Sequence, residues 1–109
     1  MVRVEIVPLS VNRAYQGRRF STPELKKYKD DLFRLLPKMD VPQGILAVRY
    51  IFGFSSKASD LDNCIKALQD TISEAYGFND RMIYKLTAEK RIVPKGSEFV
   101  EFDLSPYAI

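Results

Sequence analysis

Residues 59–70 read Ser59-Asp60-Leu61-Asp62-Asn63-Cys64-Ile65-Lys66-Ala67-Leu68-Gln69-Asp70. Leu61, Ile65, Leu68 and Ile72 recur at helical spacing, which predicts one helix over 61–75 with that stripe buried. Asp62, Lys66 and Asp70, four residues apart, then share a different, charged face. Two readings of that face stand. In the first, Ser59 or Asp60 caps the helix, Asp62 favours the positive end of its dipole, and Asp62 and Lys66 form an i,i+4 pair. In the second, the doublet Asp60-x-Asp62 and Lys66 join Asp80, in Gly77-Phe78-Asn79-Asp80-Arg81-Met82-Ile83, around a divalent cation. Carboxylates with a lysine nearby suit Mg²⁺, which takes few protein oxygens and keeps waters for a phosphate and a nucleophile.

Working outward, residues 45–54 form a long run of apolar and aromatic residues interrupted by Arg49, and read as a strand that feeds the acidic helix through the loop 55–59. Ile83 to Arg91 reads as the next strand, which makes a β-α-β unit. Phe99 to Leu104 reads as a last strand after the turn Pro94-Lys95-Gly96, and the final two strands look like a hairpin. Upstream, Val2, Val4 and Ile6 alternate with Arg3 and Glu5 in a first strand ending at Pro8. Ser21-Thr22-Pro23-Glu24 opens a helix, either as a capping box from Ser21 or with Thr22 as cap and Pro23 at the first position. Leu25, Tyr28, Leu32 and Leu35 form its apolar stripe, and Pro37 stops it. The sum is a single small α/β domain over residues 1–109, in β-α-β-α-β-β order, with a mixed sheet of about four strands and two helices.

Composition narrows the chemistry. Of 109 residues, none is histidine and one is cysteine. That removes histidine bases, Ser-His and Cys-His nucleophile pairs, nearly all zinc sites and any internal disulfide. Cys64, beside Ile65 and Leu68, reads as a packed side chain without a chemical role. No apolar run approaches a membrane span and the N-terminus lacks a signal-peptide core, so a cytoplasmic, intracellular protein with no membrane partner is expected. Charge is uneven along the chain. Residues 1–59 carry eleven Lys and Arg against five Asp and Glu, a net +6, whereas residues 60–109 carry six against nine, a net −3. The first half suits phosphate, or is plain solubilising charge; the second suits metal. Asn12, Arg13, Tyr15, Arg18 and Arg19 fall in a polar loop over 8–20 able to meet phosphates and unstacked bases, and Lys57 lies in the loop before the acids.

Asp60-Leu61-Asp62-Asn63-x-x-Lys66-Ala67-x-x-Asp70, then Asn79-Asp80-x-x-Ile83, resembles the signature of the RusA-type Holliday junction resolvases, and Pro8-Leu9-Ser10-Val11-Asn12 resembles that family's N-terminal P-x-S-x-N segment. The likeness covers most of the chain, in the same order. It implies a small homodimeric endodeoxyribonuclease of DNA recombination and repair, which uses Mg²⁺ to cut branched DNA, the four-way junction, symmetrically. Asp60, Asp62 and Asp80 are then the metal ligands, with Lys66 as the catalytic cation at the phosphate. The chain departs from the pattern at Asn79, where the family usually has a first of two acids. A non-catalytic branched-DNA-binding protein is the alternative. Distance bears on the metal set: a helix over 61–75 is about 20 Å long at ~1.5 Å per residue, and Asp80 follows its far end. Either the helix is shorter, or Asp80 serves the acids of a second subunit.

Overall fold

The computed structural model describes residues 1–16 and 20–108, with the side chains of 15, 16, 20 and 21 left aside. Strand β1 (Val2–Val4) leads to a single helical turn, α1 (Val11–Ala14), and a two-rung ladder of β2 (Tyr15–Gln16) with β3 (Phe20–Ser21). Helix α2 (Pro23–Leu35), strand β4 (Leu46–Phe54), helix α3 (Ile65–Tyr76), strand β5 (Ile83–Ile92) and strand β6 (Phe99–Pro106) follow. The main sheet has the order β1-β6-β4-β5; β4 and β5 run parallel, and β6 runs antiparallel to β4 and β1. This is a small mixed α/β fold, and among the described residues no helix is long and apolar enough to cross a membrane.

One face of the sheet carries the core. Val48, Tyr50, Phe52 and Phe54 of β4 and Val100, Phe102 and Leu104 of β6 alternate inward and meet Leu25, Tyr28 and Leu32 of α2 and Ala67, Leu68 and Ile72 of α3. Thr22 caps α2, accepting from the Leu25 N–H at 3.2 Å, and Pro23 takes the first helical position where no N–H is missed. Of the stripe expected on α2, Leu35 is instead exposed, and Leu36, just past the helix end and ahead of Pro37, packs against the core in its place. On α3 the fully buried line is Cys64, Ala67, Leu68, Thr71 and Ile72, with Leu61 and Ile65 at its margin. Ala67 and Thr71 are small side chains wholly out of solvent, and the buried Thr71 hydroxyl is satisfied by donating to the Ala67 carbonyl at 2.7 Å. Gly77 closes α3 with φ +71°, a conformation that costs glycine nothing, and donates its N–H to the Ser73 carbonyl.

Three expectations are corrected. The described part of the polar segment 8–20 is not an open loop at residues 11–14: Asn12 and Arg13 sit on α1, whose turn is closed by the Arg13 and Ala14 N–H groups on the Ser10 carbonyl, each at 3.0 Å. The helix 61–75 is divided, with a tight 3-10 turn at Asp62–Cys64 before α3 begins at Ile65. Finally, β5 and β6 do not form a hairpin, since β4 lies between them. Strand β4 buries eight of its nine residues at least in part and needs a neighbour on each edge. The connection 93–98 is long enough to step around it, since six residues reach about 20 Å and two strand spacings need only about 10 Å. The Val93 N–H donates to the Phe54 carbonyl as the chain makes that step.

The opposite sheet face is mostly polar, with Arg49 opposite Asp103, but it closes over one buried ring. Phe99 lies against Gly53, where the ring occupies the space a Cβ would need, and the Arg3 guanidinium covers its other side at 3.8 Å from the centroid. Gly53→Ala is therefore expected to displace Phe99 and to lower unfolding free energy by about 1–3 kcal/mol in urea titrations, with the fold retained.

A candidate active-site cleft beside the end of strand β4

Beyond Phe54 the chain leaves the sheet through Ser55 and Ser56 and turns back toward α3. The turn is held locally, with the Ser56 hydroxyl accepting from the Ala58 N–H at 3.2 Å and the Ser56 carbonyl from the Ser59 N–H at 3.3 Å. It is held to the sheet by Lys90 of β5, whose ammonium donates to the carbonyls of Lys57 at 2.8 Å and Ser59 at 2.5 Å. This part-buried cation fixes the backbone immediately before Asp60. Nothing in the local sequence around Lys90 shows the contact, since parallel pairing of Phe52 with Lys90 is what brings it there. Lys90→Met is expected to raise amide hydrogen exchange over residues 57–61 by roughly 10- to 100-fold, the scale of a lost charge-assisted hydrogen bond, while α3 is unchanged.

Asp60 does not cap the helix, and neither does Ser59: no side chain caps the 3-10 turn or α3. The Asp60 carboxylate instead accepts from the Asn63 amide at 3.4 Å. Both face an open cleft of about 460 Å³ whose other wall is the N-terminal segment, with Pro8, Ser10, Asn12 and Arg13. Thr22 ties that wall to α2, its N–H donating to the Ala14 carbonyl at 3.0 Å and its hydroxyl to the Arg13 carbonyl at 2.5 Å. Residues some fifty positions apart in sequence thus share one surface.

Glu98, which the sequence reading missed, lines the same cleft. Hydrogen bonds from its own N–H, from the Gly96 N–H at 2.6 Å and from the Ser55 hydroxyl hold its carboxyl below the usual range, so it stays ionised. Its signal would have been its place just ahead of a buried strand, which alternation alone does not mark as functional. Cys64 is at the cleft floor, and burial first, then the charges of Asp60 and Asp62, push its thiol up to about 11. It is protonated at neutral pH and chemically quiet.

Asp62 is exposed on the 3-10 turn next to the cleft. Lys66, the second residue of α3, donates to Asp70 at 3.1 Å, which makes Asp70 its i,i+4 partner. Asp80 lies elsewhere. It opens the 3-10 turn Asp80–Met82 that enters β5, and Ile83 pairs with Leu46 at the start of β4, whereas the Asp60 loop leaves from Phe54 at the finish of β4. Parallel strands put these points at opposite ends of the sheet, about 26 Å apart at ~3.3 Å per residue. The charges of Asp70 and Asp80 act instead on Tyr50, whose phenol is pushed far up, mainly by burial, and donates to Gln69 at 2.8 Å. Asn79 caps the Asp80 turn by accepting from the Arg81 N–H at 3.0 Å, which gives this position a structural task.

Among the described residues no three carboxylate or cysteine side chains gather as a metal-holding group. Asp60 and Asn63 share the cleft, Asp62 flanks it, and Asp80 does not come to it within one chain. Lys57 is exposed, with its carbonyl engaged by Lys90. Arg18, Arg19 and the side chain of Tyr15 lie outside the described residues. No protein-family model matches the chain, and no curated protein matches it either.

Proposed function

We propose that the protein is a Mg²⁺-dependent endodeoxyribonuclease that resolves four-way DNA junctions in recombination and repair, as its sequence resemblance implies. The observation that carries this reading is the meeting of two distant segments on one cleft: Pro8-x-Ser10-x-Asn12 with Arg13 on one wall, and Asp60 with Asn63 on the other. A helix cap would have accounted for Asp60 without any function, and no cap is formed.

The donor set fits a hard cation. It is made of carboxylate and amide oxygens, and the nearby thiol is kept protonated. Asp60 and Asp62 of one chain, with Asp80 of a second, would hold Mg²⁺, which when bound supplies a more acidic water and charge to offset that of the phosphate. Arg13 presents a guanidinium across the cleft for a non-bridging phosphate oxygen. Lys66, aligned by Asp70, offers an ammonium to the charge that develops as the P–O bond breaks. Asn12 and Asn63 supply neutral donors that orient the strand without repelling it. Glu98 and Asp60 together keep the cleft anionic until a cation is present, so binding of DNA there and binding of metal favour one another.

The presence of Asn12 and Arg13 on the cleft wall, able to meet a DNA backbone without any metal, favours a second reading, a branched-DNA binder without a cutting step. A synthetic four-way junction, incubated with the protein with and without Mg²⁺ and alongside linear duplex, separates the two. Symmetric nicks in the junction that require Mg²⁺ support the nuclease. Retarded but intact junction in both lanes supports the binder, and equal affinity for junction and duplex removes both.

A further inference from the structure

The segment 6–9 is a ridge with a hollow on either side. On one side is the cleft that Asp60 faces; on the other is a second hollow of about 340 Å³, between the ridge and helix α2. Val7, Pro8 and Arg13 line both, so the two are neighbours across a single stretch of chain. They differ in chemistry. The cleft presents carboxylate, amide and hydroxyl groups, whereas Ile6, Leu9 and Tyr28 wall the second hollow and the exposed Val7 extends its apolar surface. The charged groups around it are Arg13, Glu24, Lys27 and Asp31, two of each sign, with Lys27 and Asp31 paired at 2.7 Å. The ridge itself is fixed, since Leu9 is anchored in the core and the Ile6 N–H donates to the Val4 carbonyl at 3.0 Å.

We propose that the second hollow seats one unpaired nucleobase of the DNA strand whose phosphate lies in the cleft, so that the protein binds a nucleotide drawn out of its pair. A nucleotide joins a charged, hydrated end to a flat ring with apolar faces, and the two hollows offer those two environments on either side of Arg13. The balance of charge decides which end goes where. Around the second hollow the four charges cancel, so a phosphate gains little there, while a neutral ring takes apolar surface of Val7 and Pro8 out of water. The size agrees, since about 340 Å³ is at the small end of the ~300–1,000 Å³ of small-ligand sites. A paired base cannot enter such a hollow, and unpairing costs least where stacking is already interrupted, as at the branch point of a junction. This base site deepens the nuclease reading and rests on it only for the presence of a DNA strand in the cleft.

Binding of synthetic four-way junctions to the full chain in the absence of metal tests the base site. Single bases are deleted in turn, leaving abasic sugars, along the strands next to the branch point. At one position, loss of the base itself is expected to weaken binding by about tenfold or more, and loss of the base it pairs with to tighten binding by a similar factor, because the seated base is then already free. Loosening of the duplex alone would move both in the same direction. Val7→Asp, at an exposed position, sets a carboxylate against the ring and is expected to reduce both effects to less than about twofold, whereas Val7→Leu keeps them. Circular dichroism verifies that both variants are folded. The absence of any position with these opposite effects, or effects that Val7→Asp leaves whole, overturns the site. Because the readout is affinity without Mg²⁺, a junction bound in this manner and never cut would discard the nuclease and leave the base site standing, and a cutting enzyme indifferent to every base deletion would do the reverse.

Discussion

Asp62→Asn is expected to stop junction cutting, lowering the rate by at least about 10²-fold, while junction affinity in the absence of metal is kept or improved. The substitution is isosteric and the side chain is exposed, so the fold has no reason to change. What is lost is one unit of negative charge beside the cleft, where Asp60 already stands. With that charge removed, a divalent cation is held less well and the phosphate is repelled less, so cutting and binding move in opposite directions. Asp60→Asn should behave in the same way and add a local change, since its carboxylate also accepts from Asn63. Single-turnover cleavage and gel retardation of the same junction measure the two quantities. A merely structural acid would show neither a selective loss of cutting nor a gain in binding, and retention of full cutting by Asp60→Asn, Asp62→Asn, Lys66→Gln and Asp80→Asn together would remove the nuclease assignment.

The second large effect is a rescue. Asp62→Asn and Asp80→Asn proteins, each inactive alone, are expected to recover nicking when they are unfolded together and refolded as a mixture. In a heterodimer one centre collects both substitutions and the other collects neither. With random association about half of the dimers are mixed, so roughly a quarter of wild-type nicking returns, as single nicks in place of paired cuts. The basis is the separation of Asp80 from the Asp60 loop by the length of a nine-residue strand within one chain. Continued inactivity of the mixture would mean that a single chain bends its own Asp80 to the cleft, or that Asp80 has no part in it.

Much of the scaffold is legible in single residues. Thr22-Pro23 marks where α2 starts, Pro37 bounds where it can end, and Gly77 marks where α3 stops, each through a backbone constraint that no partner needs to supply. The alternation of Val2 and Val4 and the apolar run through Phe54 identify strands on the same local grounds. Pairing is a different matter. Strands β5 and β6 adjoin in sequence and are divided in space because β4 buries both its edges, a demand that arises only when three strands compete for places. The buried line on α3 likewise includes Ala67 and Thr71 with Leu68 and Ile72, while Leu61 and Ile65 stay at its margin, which depends on how the helix is set against the rest of the core.

The candidate site divides in the same way. The sequence by itself determined the inventory of this protein: carboxylates and lysine in place of histidine, a basic first half, an acidic doublet after a buried strand, and the ends of its helices, because these follow from composition and from bonds made within a few residues. Only the tertiary structure decided that Asp60 and Asn63 face Ser10, Asn12 and Arg13, that Lys90 and Glu98 belong to the same region, and that Asp80 stands at the other end of the sheet. Those relations depend on which strands lie side by side and in which direction, and that is fixed by burying the whole chain at once.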